Sequence, residues 1–211
     1  MARKRDSRKV IKIFFASPGD VDGERKSFRP IIQEVNRLKA NTMGVQLDAL
    51  GWEDTLPGKG RPQSLINADL KKADLIVFVF WKRWGTPTGS FSSGTEEEFE
   101  EARRLAVNGP DVWLYFRTVP ANEVAVADDQ LRRVSEFHEM IQAERSFLCR
   151  EFRGDRDWEG LFKRTPMSLA GQEVAGQAQG GDDWASPHAG PSRVALQTPR
   201  SDFPTSRCGR R

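Results

Sequence analysis

The sequence predicts a doubly wound α/β domain whose five-stranded parallel sheet carries helices on both faces. Three observations predict it. Between residues 10 and 164, short apolar runs alternate with segments whose apolar residues recur at helical spacing. Leu75-Ile76-Val77-Phe78-Val79-Phe80 is apolar at every position, as a central parallel strand buried on both faces requires. The apolar runs end in clusters of Gly, Pro, Ser and Asp, the residues that turn a chain at a strand end.

The first strand is Val10-Ile11-Lys12-Ile13-Phe14-Phe15-Ala16, stopped by Ser17-Pro18-Gly19-Asp20. Phe28, Ile31, Ile32, Val35 and Leu38 then mark the inward stripe of a first helix. Asp22 and Glu24 stand where a helix dipole favours negative charge, and Pro30 asks for a kink or some tolerance. Residues 45–50 alternate as a second strand and lead through Gly51-Trp52-Glu53-Asp54 into a loop rich in Gly and Pro. A second helix is predicted over 62–73, with Leu65, Ile66 and Leu70 inward.

After the third strand at 75–80, Trp81 opens a loop that runs through Arg83, Gly85, Thr86 and Gly89 to Ser93. The third helix is predicted over 96–107, with Thr95 as its N-cap, Glu98 at capping-box spacing, and Phe99, Ala102 and Ala106 inward. Residues 111–117 form a fourth strand and 129–145 a long helix with Leu131, Val134, Phe137 and Ile141 inward. A fifth strand at 147–152 and a last half-helix carrying Trp158, Leu161 and Phe162 complete the domain.

This order, β-α-β-α-β-α-β-α-β with right-handed crossovers, predicts a flavodoxin-like sheet in the order 2-1-3-4-5. Ligands of such sheets sit beyond the carboxyl ends of the strands, at the switch point between strands 1 and 3. That places residues 17–20, residues 81–86 and the start of the third helix around one cleft. The expected organisation is a basic arm at 1–9, an α/β domain at 10–164 and a disordered tail at 165–211, where periodicity vanishes.

Charge is unevenly spread. Residues 1–9 hold five basic and one acidic side chain, whereas residues 10–164 hold 23 basic and 25 acidic ones. The basic cluster is thus confined to the arm, which argues against nucleic acid as a partner. No apolar run approaches the roughly 20 residues of a bilayer span, so no membrane partner and a cytoplasmic setting are expected. Cys149 and Cys208 make no disulfide framework, and with only His138 and His188 no metal site is expected.

The densest chemical signal is Gly94-Thr95-Glu96-Glu97-Glu98-Phe99-Glu100-Glu101-Ala102. With Phe99 and Ala102 toward the sheet, Glu97, Glu100 and Glu101 are expected to point outward. Glu98, one step from the buried stripe, is the carboxylate able to lean toward the strand ends. The bland account is that first-turn acids stabilise a helix and that Glu98 completes a capping box with Thr95.

A resemblance adds to this reading. Ile13 through Val21 with Glu24-Arg25, then Trp52-Glu53 with Pro57-Gly58, Gly60, Pro62-Gln63 and Ile66, then Asp74 through Trp81 with Arg83, then Gly85 through Gly89 and Ser93 through Phe99, resemble the TIR-like family catalogued as domain of unknown function 4062. That family often stands at the N-terminus of STAND-type NTPases. More distantly, the chain is similar to TIR domains and nucleoside 2-deoxyribosyltransferases. In the transferases a Gly-Thr-x-x-Glu-aliphatic-Gly-x-Ala segment carries the reactive Glu. Gly94, Thr95, Glu98 and Ala102 match it, with Phe99 in place of the aliphatic residue and Glu100 in place of Gly.

The resemblance implies cleavage of an N-glycosidic bond, as in NAD, with Glu98 as the catalytic carboxylate and NAD as substrate rather than cofactor. It implies Ser17, Pro18, Gly19, Asp20, Trp52, Trp81, Arg83, Gly85, Thr86, Gly94 and Thr95 as substrate-binding residues. Backbone N–H groups of the first loop would face phosphate or ribose, Arg83 a phosphate, and Trp81, Trp52 or Phe15 a ring. Self-association in bacterial defence signalling is the implied context. The alternative is a non-catalytic TIR-like adaptor that signals by self-association. The break at Thr165-Pro166 further predicts a truncated or frame-shifted piece of a longer multidomain chain.

Overall fold

Residues 8–38, 44–51, 62–107 and 109–164 are described by the computed structural model, with side chains omitted at 62–65. The arm through Ser7, the loop containing Trp52, the side chain of Leu65 and everything from Thr165 lie outside these residues.

Five parallel strands form one sheet in the order β2-β1-β3-β4-β5, as the alternation of elements predicts. They are β1 (Lys9–Ala16), β2 (Val45–Gly51), β3 (Leu75–Phe80), β4 (Asp111–Arg117) and β5 (Cys149–Phe152). The helices are α1 (Asp22–Leu38), α2 (Pro62–Leu70), α3 (Gly94–Leu105), the single turn α4 (Ala121–Val124), α5 (Asp129–Glu144) and α6 over 155–164.

Every residue of β3 is fully buried, because alternate side chains feed two separate cores. Ile11, Ile13, Phe15, Val77, Val79 and Tyr115 face α1 and α6, where Phe28, Ile31, Val35, Trp158 and Phe162 meet them. Phe14, Phe78, Phe80, Leu114 and Phe116 face the opposite layer, built from Leu70, Phe99, Ala102, Val134, Phe137 and Ile141. Phe15 packs against Phe28 with ring centroids 4.9 Å apart, so it belongs to the core. The edge strand β2 is guarded by Asn36 of α1, whose amide donates to the carbonyl oxygen of Leu47 and accepts from its N–H, both at 2.8 Å.

Several boundaries differ from those expected. The helix α1 continues through Pro30, which is exposed, and ends with Leu38 pointing into solvent rather than into the core. The second helix stops at Leu70, and its last turn is replaced by hydrogen bonds from Lys72 N to Asp69 O and from Ala73 N to Leu70 O. The third helix begins two residues earlier than expected, at Gly94. Arg145 adopts a left-handed conformation (φ 51°) after α5, and β5 starts only at Cys149. No described helix is long and apolar enough to cross a membrane, and no group of three or more His, Cys, Asp or Glu among the described residues is placed to hold a metal ion.

Candidate functional site

Two loops at the carboxyl edge of the sheet are tied together by one side chain. Asp20, in the loop between β1 and α1, accepts hydrogen bonds at 2.8 Å through Oδ2 from the backbone N–H groups of both Lys82 and Arg83. The residues that follow β1 and β3 are therefore held at the switch point, where a ligand of this topology sits. Arg25 secures the same loop from α1: its Nη2 donates to the carbonyl oxygens of Ser17 (3.2 Å) and Pro18 (3.1 Å) and to the Ser17 hydroxyl (2.7 Å). Gly19 is exposed and Pro18 is buried.

The loop after β3 is pinned by α5. Gln130 Oε1 accepts from the N–H groups of Trp84 and Gly85, both at 2.9 Å, and the Trp84 indole N–H donates to Ser92 Oγ at 2.7 Å. Gly85 has φ +111°, and a Cβ there would lie 3.2 Å from Ser93 Cβ, so only glycine suits this approach of loop to helix. Arg83 and Thr86 are exposed.

The start of α3 overturns one expectation. The N-cap is Ser93, not Thr95: Ser93 Oγ accepts from Glu96 N at 3.0 Å, and Glu96 Oε2 accepts from Ser93 N at 3.2 Å. Glu96 Oε2 also receives the N–H of Ser92 at 2.6 Å. The capping box is complete without Thr95 or Glu98, so the bland account of their spacing does not hold.

Glu97 is likewise not outward. It is buried, accepting from Asn67 Nδ2 at 3.2 Å and Thr88 Oγ1 at 3.0 Å, and so joins α3 to α2 and to the preceding loop. Glu98 is 8% exposed, next to Phe99 in the core, and Thr95 is buried beside it. Glu100 is half-buried and its carboxyl is raised above the usual range by that burial, whereas Glu101 is held down at about 2 by Arg104 and Lys71.

The structure adds a cluster that sequence reasoning passed over. Glu24, on the first turn of α1, is completely buried, and Arg117 at the end of β4 donates to its Oε1 at 2.9 Å. The Arg117 guanidinium also lies 4.4 Å from the ring centre of Trp81 and 3.4 Å from Asp155. Lys82 Nζ lies 4.5 Å over the same indole and pairs with Glu123. Glu24 reads in the sequence as an acid complementing a helix dipole and Arg117 as a strand end. Their pairing spans 93 residues and has no local signal.

Thus Ser17, Pro18, Asp20, Trp81 and Arg83 stand along one seam, while Gly85, Gly94, Thr95 and Glu98 belong to the adjoining corner where the β3 loop meets α3. Trp52 lies outside the described residues.

Residues 12–165 match the family model described as Domain of unknown function (DUF4062). No curated protein matches the chain. Among solved structures, the chain is similar to translation elongation factor SelB from Methanococcus maripaludis in complex with the GTP analogue GppNHp. That match has 12% identity and a TM-score of 0.46, and covers 77% of this chain and 34% of SelB. It is also similar to an oxidoreductase from Corynebacterium diphtheriae, with 13% identity and a TM-score of 0.41, covering 78% of this chain and 96% of that one. Likenesses at this level carry no assignment of activity.

Proposed function

On the premise that this chain belongs to the family described as Domain of unknown function (DUF4062), we propose that it binds a nucleotide at the carboxyl edge of its sheet and cleaves that nucleotide's N-glycosidic bond. NAD is the substrate the reading favours, and Glu98 is its catalytic carboxylate. One observation supports Glu98 above its neighbours. Ser93 and Glu96 complete the helix cap and Glu97 braces α2, whereas Glu98 sits in the same first turn, nine-tenths buried and one step from the inward Phe99, beside the loop that follows β3.

In the reaction proposed, the bond between ribose C1′ and the nicotinamide nitrogen breaks and the leaving base keeps the electron pair. Water adds to C1′, giving ADP-ribose, nicotinamide and a proton. Positive charge builds on the ribose in the transition state, and a fixed carboxylate in a poorly solvated place stabilises it. Nicotinamide leaves as a neutral base, so no histidine acid is needed.

Chromatography of NAD after incubation with dilute and with concentrated protein tests this. Wild type should release nicotinamide, and Glu98→Ala and Glu98→Gln should not. Absence of release at every concentration would remove the enzyme reading and leave a non-catalytic, self-associating module. Undiminished release in both variants would remove Glu98.

A further inference from the structure

Three buried polar atoms at the carboxyl edge find no hydrogen-bond partner among the described residues: Glu24 Oε2, Trp81 Nε1 and Asp20 Oδ1. They belong to one contact network. Arg117 touches both Glu24 and Trp81, and Asp20 holds the backbone N–H of Lys82, the next residue after Trp81. Polar groups buried without partners are costly, and in native proteins they concentrate where something else supplies the missing bonds.

The chemistry of the set is selective. Two of the atoms are carboxylate oxygens, which only accept, and the third is an indole N–H, which only donates. A hydroxyl group does both, and a vicinal diol offers two donors and two acceptors in a small volume. The ring of Trp81 already carries Arg117 and Lys82, which leaves its N–H as the group with a bond still to make.

The approach to these atoms is through Arg117. Its side chain is 24% exposed and lines a shallow cleft of about 400 Å³ with Arg153, Gly154, Asp155, Arg156 and Asp157. Its outer partner, Asp155, is two-thirds exposed and 3.4 Å away, a weak pair beside the buried one to Glu24. An anionic group on a ligand can take the place of Asp155 on Arg117, with Arg153 and Arg156 on the same cleft wall.

We propose that Glu24, Trp81 and Arg117 form a sugar-phosphate subsite: ribose hydroxyls bond Glu24 Oε2 and Trp81 Nε1, and a phosphate displaces Asp155 from Arg117. This deepens the nucleotide reading above and rests on it, naming the part of the ligand that the α1 and α6 side of the sheet holds. The three atoms are closed off from solvent, so binding moves Arg117 and the start of α6 outward.

The test uses the indole N–H resonances of ¹⁵N-labelled protein, with Trp81 assigned through Trp81→Phe, during titration with ADP-ribose and with ribose 5-phosphate. The Trp81 resonance should shift progressively with both. Trp84 should stay, because its N–H group already donates to Ser92 and it packs in the opposite core, away from α6. Trp81→Phe and Glu24→Gln should each weaken ADP-ribose binding about ten-fold, one good hydrogen bond's worth. Asp155→Asn, an exposed change that spares the core, should strengthen it. A silent Trp81 resonance at millimolar ligand, or unchanged affinity in Trp81→Phe, overturns the subsite. NAD cleavage with a silent Trp81 would sink this inference alone, whereas a responsive Trp81 without cleavage would sink only the catalytic reading.

Discussion

Ser93 and Glu96 bond each other reciprocally at the start of α3, the hydroxyl of one to the N–H of the other and the carboxylate back to the N–H of Ser93. Four consecutive polar residues, 95–98, are buried in that first turn, and the cap accounts for only one of them. Ser93→Ala should therefore destabilise the domain by about 1–2 kcal/mol in urea unfolding, the usual cost of losing an N-cap. Equal stability in the variant would mean that the helix does not start where its hydrogen bonds place it.

The tie between the β1 and β3 loops makes a second prediction. Asp20→Ala removes a carboxylate oxygen that two backbone N–H groups share, and should cost about 2–3 kcal/mol. Hydrogen exchange should speed up at Lys82 and Arg83 first. Exchange that quickens only in α5 would contradict the assignment of Asp20 as the link.

The strands and both cores were legible in the sequence because burial on two faces writes itself as an unbroken apolar run, as at Leu75–Phe80, and helical stripes write themselves at every third or fourth residue. The cap was not, because Ser93 with Glu96 and Thr95 with Glu98 offer the same spacing in overlapping register. Packing of Ser93 under Gly85 goes with the first of them. The burial of Glu97 depends on Asn67, thirty residues away, and that of Glu24 on Arg117, so no local pattern could reveal either. Glu98 itself was legible as the carboxylate one step from the inward stripe, a matter of helical geometry alone.

The buried ion pair makes a third prediction. Arg117→Met leaves the Glu24 carboxylate in the interior without its cation and should cost about 3–5 kcal/mol. Replacing both members together, as Glu24→Leu with Arg117→Met, should recover a good part of that loss. Additive losses in the double variant would show that the two groups do not act as a pair.

His138 supplies a pH dependence. Its ring stacks on Phe116 with centroids 3.9 Å apart, and burial lowers its pKa below the ordinary value, against the opposing pull of Glu151 and Glu139. The unfolded chain then takes up a proton on this group before the folded one does. Its contribution to stability is full above about pH 6.5, the ordinary histidine value, and is lost as pH falls through the lower folded value. Thermal melts should show a smaller drop between about pH 7 and pH 5 in His138→Gln than in wild type. An identical drop would assign the acid sensitivity to other groups.

Glu98 is proposed to act on the glycosidic bond rather than on the fold. Its most direct test is nicotinamide release from NAD by wild type and Glu98→Gln under conditions where wild type turns over. Glu98→Gln should lower kcat about 10²–10⁴-fold with KM changed by less than about three-fold, the signature of an interaction made mainly in the transition state. Release at the wild-type rate by Glu98→Gln would contradict it.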